Sequence, residues 1–269
     1  MNKVKDGERN SRRMAFGAVA EEYDQIRPGY PEQLFADIFS FANLKPGAAV
    51  LEIGCGTGQA TMPFINKGCN LTCIDLSQSL SDIARLKFAN FPEVEIHTSS
   101  FESFKGEEKS YDMVFAATAM HWIEPGLRYR KAGRLLKPDG TIAVFSNTHP
   151  RPFRGFFDRV QVIYKEIVPE WGSPTLNKTS TDIINETIRE IRGLQTFKEV
   201  TFRKFKWSKV YSKDEYLKLI STYSDHQNLG SVRLERLCSR IGEFIDRHYA
   251  GKIKRPYHSL LMLAKKVNF

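Results

Sequence analysis

The spacing of apolar residues changes regularly along the chain, and the two spacings predict alternating strands and helices. Continuous apolar runs, typical of strands buried on both faces of a sheet, cover residues 48–53, 71–75, 111–117 and 141–145. Between such runs the apolar residues recur at helical spacing, as Leu80, Ile83 and Ala84 do. This alternation predicts right-handed crossovers and a parallel sheet covered on both faces.

The remaining elements are less regular. Val94 and Ile96 alternate with polar residues, which predicts a strand at the sheet edge with one wet face. The alternation of strands and helices ends after Asn147. Residues 153–193 are interpreted as two inserted helices with a link that begins at Trp171. The pattern then predicts a strand over 197–210, helices over 213–222 and 231–249, and a last strand over 257–264.

Composition limits the classes of protein that fit. The 269 residues are 41% hydrophobic and 26% charged, which is typical of a soluble protein with one large α/β domain or one domain with an insertion. We find no apolar run long enough for a membrane span and no apolar segment of a secretory signal near Met1. The four cysteines have no metal-ligand spacing, so we expect reduced thiols, a cytoplasmic location and no metal.

Charge is divided unevenly between the two halves of the chain. Residues 1–150 carry 17 basic and 18 acidic side chains, whereas residues 151–269 carry 23 and 13, so the net charges are −1 and +10. One interpretation is a solvated basic surface. The other is that the second half binds an anion.

A glycine cluster lies where the first strand ends. Gly54, Gly56 and Gly58 lead into a helix predicted over 58–66, and Asp75 closes the second strand. Glycines allow a sharp turn and close approach of a ligand to the backbone, while a helix start offers free N–H groups. A carboxylate at the end of the second strand can accept both ribose hydroxyls of an adenosine.

The details of this cluster distinguish two nucleoside ligands. The dinucleotide fingerprint has its third glycine one residue later, where this chain has Gln59. Glu52 directly precedes the loop, where it would repel a pyrophosphate but suit a ligand amino group. The pattern therefore favours an adenosine with a cationic tail over NAD, and an NAD-dependent oxidoreductase is the less favoured alternative.

These motifs resemble those of the class I S-adenosylmethionine-dependent methyltransferases. The resemblance covers residues 48–145 and rests, in order, on Val50–Gly58, Asp75, Tyr111–Val114 and Leu135–Gly140. The flanking segments Tyr23–Pro31 and Ala119–Trp122 resemble a small-molecule branch of the type 11 methyltransferases, which includes trans-aconitate methyltransferase-like proteins. S-adenosyl-L-methionine is the cofactor that this resemblance implies.

The resemblance also implies a fold and a division of the chain. We expect a doubly wound, Rossmann-like α/β sheet of seven strands, the last antiparallel, with a helical cap insertion. Residues 1–14 are predicted to be disordered, residues 15–150 to form the cofactor-binding core with an N-terminal lid, and residues 151–269 to form the cap and the last two strands.

The resemblance also implies roles for individual residues, which follow from their positions in the family's motifs. Gly54, Gly56 and Gly58 would line the methionine part of the cofactor, with Glu52 at its amino group and Asp75 at its ribose. Ser100 and Phe101 would lie beside the adenine, although many relatives have an acidic residue there. Ala117 would let the cofactor approach closely, or would simply pack in the core.

The N-terminal segment contributes two further candidates. If the first helix closes as a lid, Arg27 would pair with the methionine carboxylate and Tyr23 would offer its ring to the sulfonium. The alternative is a surface arginine and a half-buried tyrosine.

Acceptor-side candidates follow the fourth and fifth strands. His121 is a candidate catalytic base, or a structural histidine, and Trp122 is a candidate substrate contact. Arg151 and Arg154 would bind a substrate carboxylate.

The sequence predicts methyl transfer to a small, carboxylate-bearing metabolite. An RNA-modifying methyltransferase or nucleic-acid binder is the alternative that the basic half suggests, although that half contains no recognisable RNA-binding module. The oligomeric state is not determined by the sequence.

Overall fold

The computed structural model of the protein describes residues 20–172 and 179–268. The predicted disorder of residues 1–14 lies outside this part. The strands are β1 (Ala49–Ile53), β2 (Asn70–Asp75), β3 (Val94–Thr98), β4 (Tyr111–Ala117), β5 (Leu136–Thr148), β6 (Phe197–Ser212) and β7 (Lys252–Lys266). The α-helices in the described residues are α1 (Ala20–Ile26), α2 (Glu32–Ala42), α3 (Met62–Asn66), α4 (Gln78–Lys87), α5 (Arg128–Leu135), α6 (Phe156–Arg159), α7 (Gln161–Ile167), α8 (Ser180–Leu194), α9 (Lys213–Ser221), α10 (Ser224–Gln227) and α11 (Ser231–Tyr249).

The strands form one sheet in the order β3-β2-β1-β4-β5-β7-β6. β1 pairs in parallel with β2 and β4, and β3 and β5 continue the parallel part outwards. β7 runs antiparallel between β5 and β6. The predicted fold class is confirmed, and β3 is the edge strand that its alternating pattern predicted.

Both faces of the central strands are buried, which explains their continuous apolar sequence. On β4, Met113 and Phe115 pack in one core cluster, while Val114 and Ala116 pack in another. Successive side chains of a strand point to opposite faces, so a strand covered on both sides is apolar at nearly every position, and Glu52 of β1 is an exception.

The chain divides into two compact units. The first, here called the sheet unit, contains residues 29–147, 184–205 and 259–269. The second, here called the helical unit, contains the described residues 20–28, 148–172, 179–183 and 206–258, and its core is formed by side chains such as Tyr211, Leu237 and Ile241. The division of the chain at residue 150 stays a prediction.

Several element boundaries differ from the sequence prediction, and two of these differences bear on the candidate sites. The helix after the glycine cluster begins at Met62 rather than Gly58, because Gly58 has φ 87° and cannot be α-helical. The last strand begins at Lys252, five residues before the predicted start at Tyr257, and so includes Arg255.

Candidate active site

The glycine cluster forms a tight loop after β1. Gly54, Gly56 and Gly58 have φ values of 67°, 58° and 87°, in the region that favours glycine. A Cβ atom on Gly54 would lie 2.4 Å from the Cβ of Ala119, and one on Gly58 would lie 2.3 Å from the Phe88 ring. Gly54 and Gly58 therefore have no room for a side chain, and the loop lies directly against the segment that follows β4.

Asp75 fixes this loop from the end of β2. Its Oδ2 accepts a hydrogen bond of 2.9 Å from the Gly56 N–H, and its Oδ1 accepts one of 2.8 Å from the Ser77 N–H. Asp75 thus anchors the loop through both of its carboxylate oxygens, and its contact with a ribose stays a prediction.

Glu52 is buried beneath the loop, with 1% of its surface exposed. Its Oε2 accepts from Thr61 Oγ1 at 2.6 Å and from Cys73 Sγ at 3.6 Å, while its Oε1 has no hydrogen-bond partner in the described structure. Burial raises the pKa of Glu52 to about 8. A buried carboxyl oxygen that has no partner among the described residues, beside a glycine-rich loop, fits a ligand that carries an ammonium group, as S-adenosylmethionine does.

The segment after β3 differs from the expectation in its details. Phe101 is 2% exposed and packs in the core with Ile74 and Ala116, while the Lys131 Nζ lies 5.2 Å from its ring centroid. The Ser100 Oγ accepts from the Ser103 N–H at 3.1 Å and so stabilises the turn. Contact of Ser100 or Phe101 with an adenine stays a prediction.

Small residues end β4, as the sequence predicted. Ala116 is fully buried, whereas Ala117 is partly exposed. Thr118, with φ 56°, follows in a left-handed conformation, and its hydroxyl lies 2.7 Å from the Tyr30 hydroxyl. The role of Ala117 beside the cofactor stays a prediction.

His121 lies on a short 3-10 turn, Met120–Trp122. The His121 and Trp122 rings are 4.8 Å apart. Although the His121 surface is solvent-exposed, the protein around it reduces solvation and, together with the charge of Arg128, lowers its pKa to about 4. The imidazole is therefore neutral at pH 7, and it is a weaker base than an ordinary histidine.

A buried ion pair, which the sequence analysis did not single out, holds this turn. The Arg128 Nε donates to both carboxylate oxygens of Glu190 at 3.0 Å, and its Nη1 donates to the Met120 carbonyl at 3.2 Å. Arg128 and Glu190 are 16% and 17% exposed. Glu190 lies on α8, 62 residues away along the chain, so no local sequence pattern indicates that the two residues pair.

Arg27 and Tyr23 belong to the helical unit, where Arg27 joins α1 to the end of α9. Its Nε and Nη2 donate to the hydroxyl and carbonyl of Thr222 at 2.9 and 2.6 Å. Its guanidinium lies 4.6 Å from the Tyr23 ring centroid and 4.7 Å from that of Tyr223. Their predicted role as a lid over the cofactor stays a prediction.

The helical unit contains a cavity of about 290 Å³. Arg151 lines it and lies over the Phe153 ring at 4.6 Å. Arg154 is exposed and does not line the cavity, so the structure separates two arginines that the sequence analysis grouped. Arg255 also lines the cavity, and the sequence analysis missed it because the predicted last strand began after it.

The structure thus brings Glu52, Gly54, Gly56 and Gly58 together with Asp75 at one edge of the sheet, next to the turn that carries His121. Within residues 20–172 and 179–268, no group of three or more His, Cys, Asp or Glu side chains could hold a metal ion. None of the helices described there is long and apolar enough to span a membrane.

Comparison with known proteins identifies the class. Residues 50–140 match a protein family described as "Methyltransferase domain". An uncharacterised methyltransferase of Mycobacterium tuberculosis is 28% identical over 137 residues, which are 50% of this chain and 53% of that protein. A malonyl-[acyl-carrier protein] O-methyltransferase of Halalkalibacterium halodurans is 28% identical over 209 residues, 72% of this chain and 74% of that protein. The chain thus spans about half the length of the first relative.

Solved structures share the fold. A Haemonchus contortus phosphoethanolamine N-methyltransferase in complex with S-adenosylhomocysteine superposes with a TM-score of 0.56 at 18% identity, over 93% of this chain and 57% of that one.

The chain contains a class I, S-adenosylmethionine-dependent methyltransferase domain. Residues 50–140 are the matched part of that domain, and they include the glycine loop, Asp75 and His121. The predicted family and the predicted cofactor are confirmed. The type 11, trans-aconitate-like branch stays a prediction.

Proposed function

We propose that the protein transfers a methyl group from S-adenosylmethionine to a small, carboxylate-bearing metabolite in the cytoplasm. The observation that carries the first part is the buried, unpartnered Oε1 of Glu52 beneath a loop of three left-handed glycines. When bound, the cofactor supplies an electrophilic methyl group on a sulfonium ion.

The residues around the loop would bind and orient the cofactor. The backbone of Gly54–Gly58 would line its methionine part, Glu52 would accept from its ammonium, and Asp75 would accept from its ribose hydroxyls. These contacts contribute positioning and exclusion of water, which are the main requirements of an in-line methyl transfer.

A carboxylate acceptor agrees with the state of His121. A carboxylate is already anionic near pH 7, so its methylation requires no proton removal, and a histidine with a pKa of about 4 is not required as a base. Arg151 in the cavity of the helical unit supports an anionic acceptor. The Halalkalibacterium relative is named as an O-methyltransferase of a malonyl group, which itself carries a carboxylate.

Two measurements test this proposal. Isothermal titration should show that S-adenosylmethionine binds and NAD does not, and Asp75→Ala should weaken binding by about 10- to 100-fold through loss of a charged acceptor. Transfer of labelled methyl groups to a panel of carboxylic acids, with the matching amides as controls, should give ester products. Tighter binding of NAD than of S-adenosylmethionine would disprove the cofactor assignment.

A further inference from the structure

The cavity of the helical unit contains a cation, Arg255, that forms no ion pair with the described residues. Arg255 lies on β7, partly buried, and no carboxylate of the described residues lies within ion-pair distance of its guanidinium. Its neighbours are aromatic: the guanidinium carbon lies 5.4, 5.8 and 5.2 Å from the ring centroids of Phe157, Tyr223 and Tyr257. Its Nε is fully buried and has no acceptor. A partly buried charge without a counter-ion is costly, and an anionic ligand would remove that cost.

A second polar group of the same cavity is also unsatisfied. His149 lies against the Phe157 ring, with ring centroids 4.2 Å apart. Its Nδ1 is 2.9 Å from the Pro150 carbonyl, so Nδ1 carries the hydrogen. Burial and the charge of Arg255 lower the pKa of His149 to about 4, so the ring is neutral and Nε2 is an acceptor. This Nε2 has no partner in the described structure.

The charge of the lining favours a monoanion. Two guanidinium groups, of Arg151 and Arg255, face one carboxylate, that of Asp225. Asp225 Oδ1 already accepts from the backbone N–H of His226 at 2.9 Å and lies 2.8 Å from its Nδ1. Asp225 is thus already engaged by His226, and a single carboxylate on a ligand would suffice to pair with Arg255.

The rest of the lining is apolar and largely aromatic. Phe153, Phe157, Tyr164 and Trp171 line the cavity, and the last two have nearly parallel rings 5.9 Å apart. At about 290 Å³ the space is at the small end of ligand sites. These walls suit a flat, apolar body better than a polyhydroxylated or highly charged one.

We propose that this cavity binds an organic monocarboxylate with a flat, apolar body, whose carboxylate pairs with Arg255. The inference rests on the proposed function in one respect, namely that this ligand is the methyl acceptor. A hydroxyl or other donor on the ligand would satisfy the Nε2 of His149. The anchor is therefore Arg255, rather than the Arg151 and Arg154 pair that the sequence suggested.

The experiment uses the whole 269-residue chain and two probes of similar shape, benzoate and benzamide. Isothermal titration should give benzoate a 10- to 100-fold higher affinity than benzamide, as expected for a charge-assisted arginine contact. Inorganic phosphate should bind more weakly than benzoate. Arg255→Met should remove the preference for benzoate, while Arg154→Met, the exposed control, should retain it.

A second readout makes the measurement on the wild-type protein and uses a conservative variant only to assign the signal. The Nε–H resonance of Arg255 in protein labelled with ¹⁵N-arginine, assigned by its loss in Arg255→Lys, should shift on addition of benzoate but not of benzamide. Equal affinities for the two probes, or an unmoved Arg255 resonance, would overturn the inference.

Titration of S-adenosylhomocysteine into the same samples separates this inference from the proposed function. Retained nucleoside binding with no benzoate binding would overturn the cavity assignment alone. Benzoate binding through Arg255 without cofactor binding would support the cavity and disprove the methyltransferase proposal.

Discussion

Glu52 is the residue whose ionisation is most altered by the fold. In the unfolded chain it ionises near its ordinary pKa of 4.5, whereas in the folded protein its pKa is about 8. Between these values the folded state holds one more proton than the unfolded state, so folding stability decreases as pH rises.

The substitution Glu52→Gln should therefore stabilise the protein relative to wild type as pH rises from about 5 to 8. The wild-type free energy of unfolding should fall by up to about 1.4 kcal/mol per pH unit from this group, and glutamine removes that slope. Urea denaturation at several pH values measures it. Glu235→Gln, on an exposed face of α11, should show no such pH-dependent gain. A constant difference between Glu52→Gln and wild type across this range would contradict the assignment.

At His121 the structure predicts a small catalytic effect. With a carboxylate acceptor, His121→Ala should lower kcat less than about threefold, and the rate should be nearly flat between pH 6 and 8 because the imidazole is neutral throughout. Steady-state kinetics with S-adenosylmethionine saturating provide the measurement. A fall of about 100-fold or more in kcat, with cofactor affinity unchanged, would instead identify His121 as a base.

At the scale of elements, the loop between β1 and α3 depends on the absence of side chains. Gly58→Ala combines a left-handed φ with a clash against the buried Phe88 ring, so it should cost more than about 2 kcal/mol and weaken cofactor binding. Gly193→Ala in α8 has open space around the new Cβ and should be neutral or stabilising by up to about 1 kcal/mol. Thermal denaturation and cofactor titration of both variants test the difference. Equal stability would show that the loop adapts to a side chain.

The ion pair between α5 and α8 is the second prediction at this scale. Arg128→Met should destabilise the protein by about 2–4 kcal/mol because it leaves the Glu190 carboxylate partly buried without its partner. The double variant Arg128→Met/Glu190→Met should recover part of the loss. Arg134→Met breaks the exposed pair with Glu108 and should cost less than about 1 kcal/mol. If Arg128→Met lowers the free energy of unfolding no more than Arg134→Met does, the ion pair of Arg128 with Glu190 does not stabilise the turn that carries His121.

At the scale of the whole molecule, several basic residues of the second half pair with the protein's own acids. The pairs in this half include Lys213 with Asp246, Arg233 with Glu170 and Arg240 with Glu166, and Lys198 pairs with Asp139 of the first half. Such pairing favours a solvated surface over a stripe for nucleic acid.

RNA binding should therefore be weak, and methyl transfer to small acids should change little between 50 and 200 mM salt. A nucleic-acid binder with 6–10 phosphate contacts would lose roughly 10³- to 10⁵-fold in affinity over that range. Fluorescence anisotropy of labelled RNA, measured beside the methyl-transfer assay, distinguishes the two. Tight, salt-sensitive RNA binding with no turnover on any small acid would favour the nucleic-acid alternative.

The sequence by itself determined the sheet and the cofactor edge. The continuous apolar runs identify the buried strands, because a strand that is covered on both faces is apolar at nearly every position. The glycine loop, Glu52 and Asp75 lie close together in the sequence, so a local motif is enough to identify them. The fold class, the family and the cofactor follow from such short-range features.

Only the tertiary structure decided the partners that come from distant positions. Glu190 pairs with Arg128 although the two residues are 62 positions apart in the sequence. The pKa values of Glu52 and His121 depend on the surrounding protein, which the spacing of residues in the sequence does not reveal. Arg255 shares one face of β7 with the buried Ile253 and Tyr257, a period-two signal that the sequence contains. Its significance emerged from the fold, because only packed neighbours show that this inward-facing arginine forms no ion pair with the residues that the structure describes.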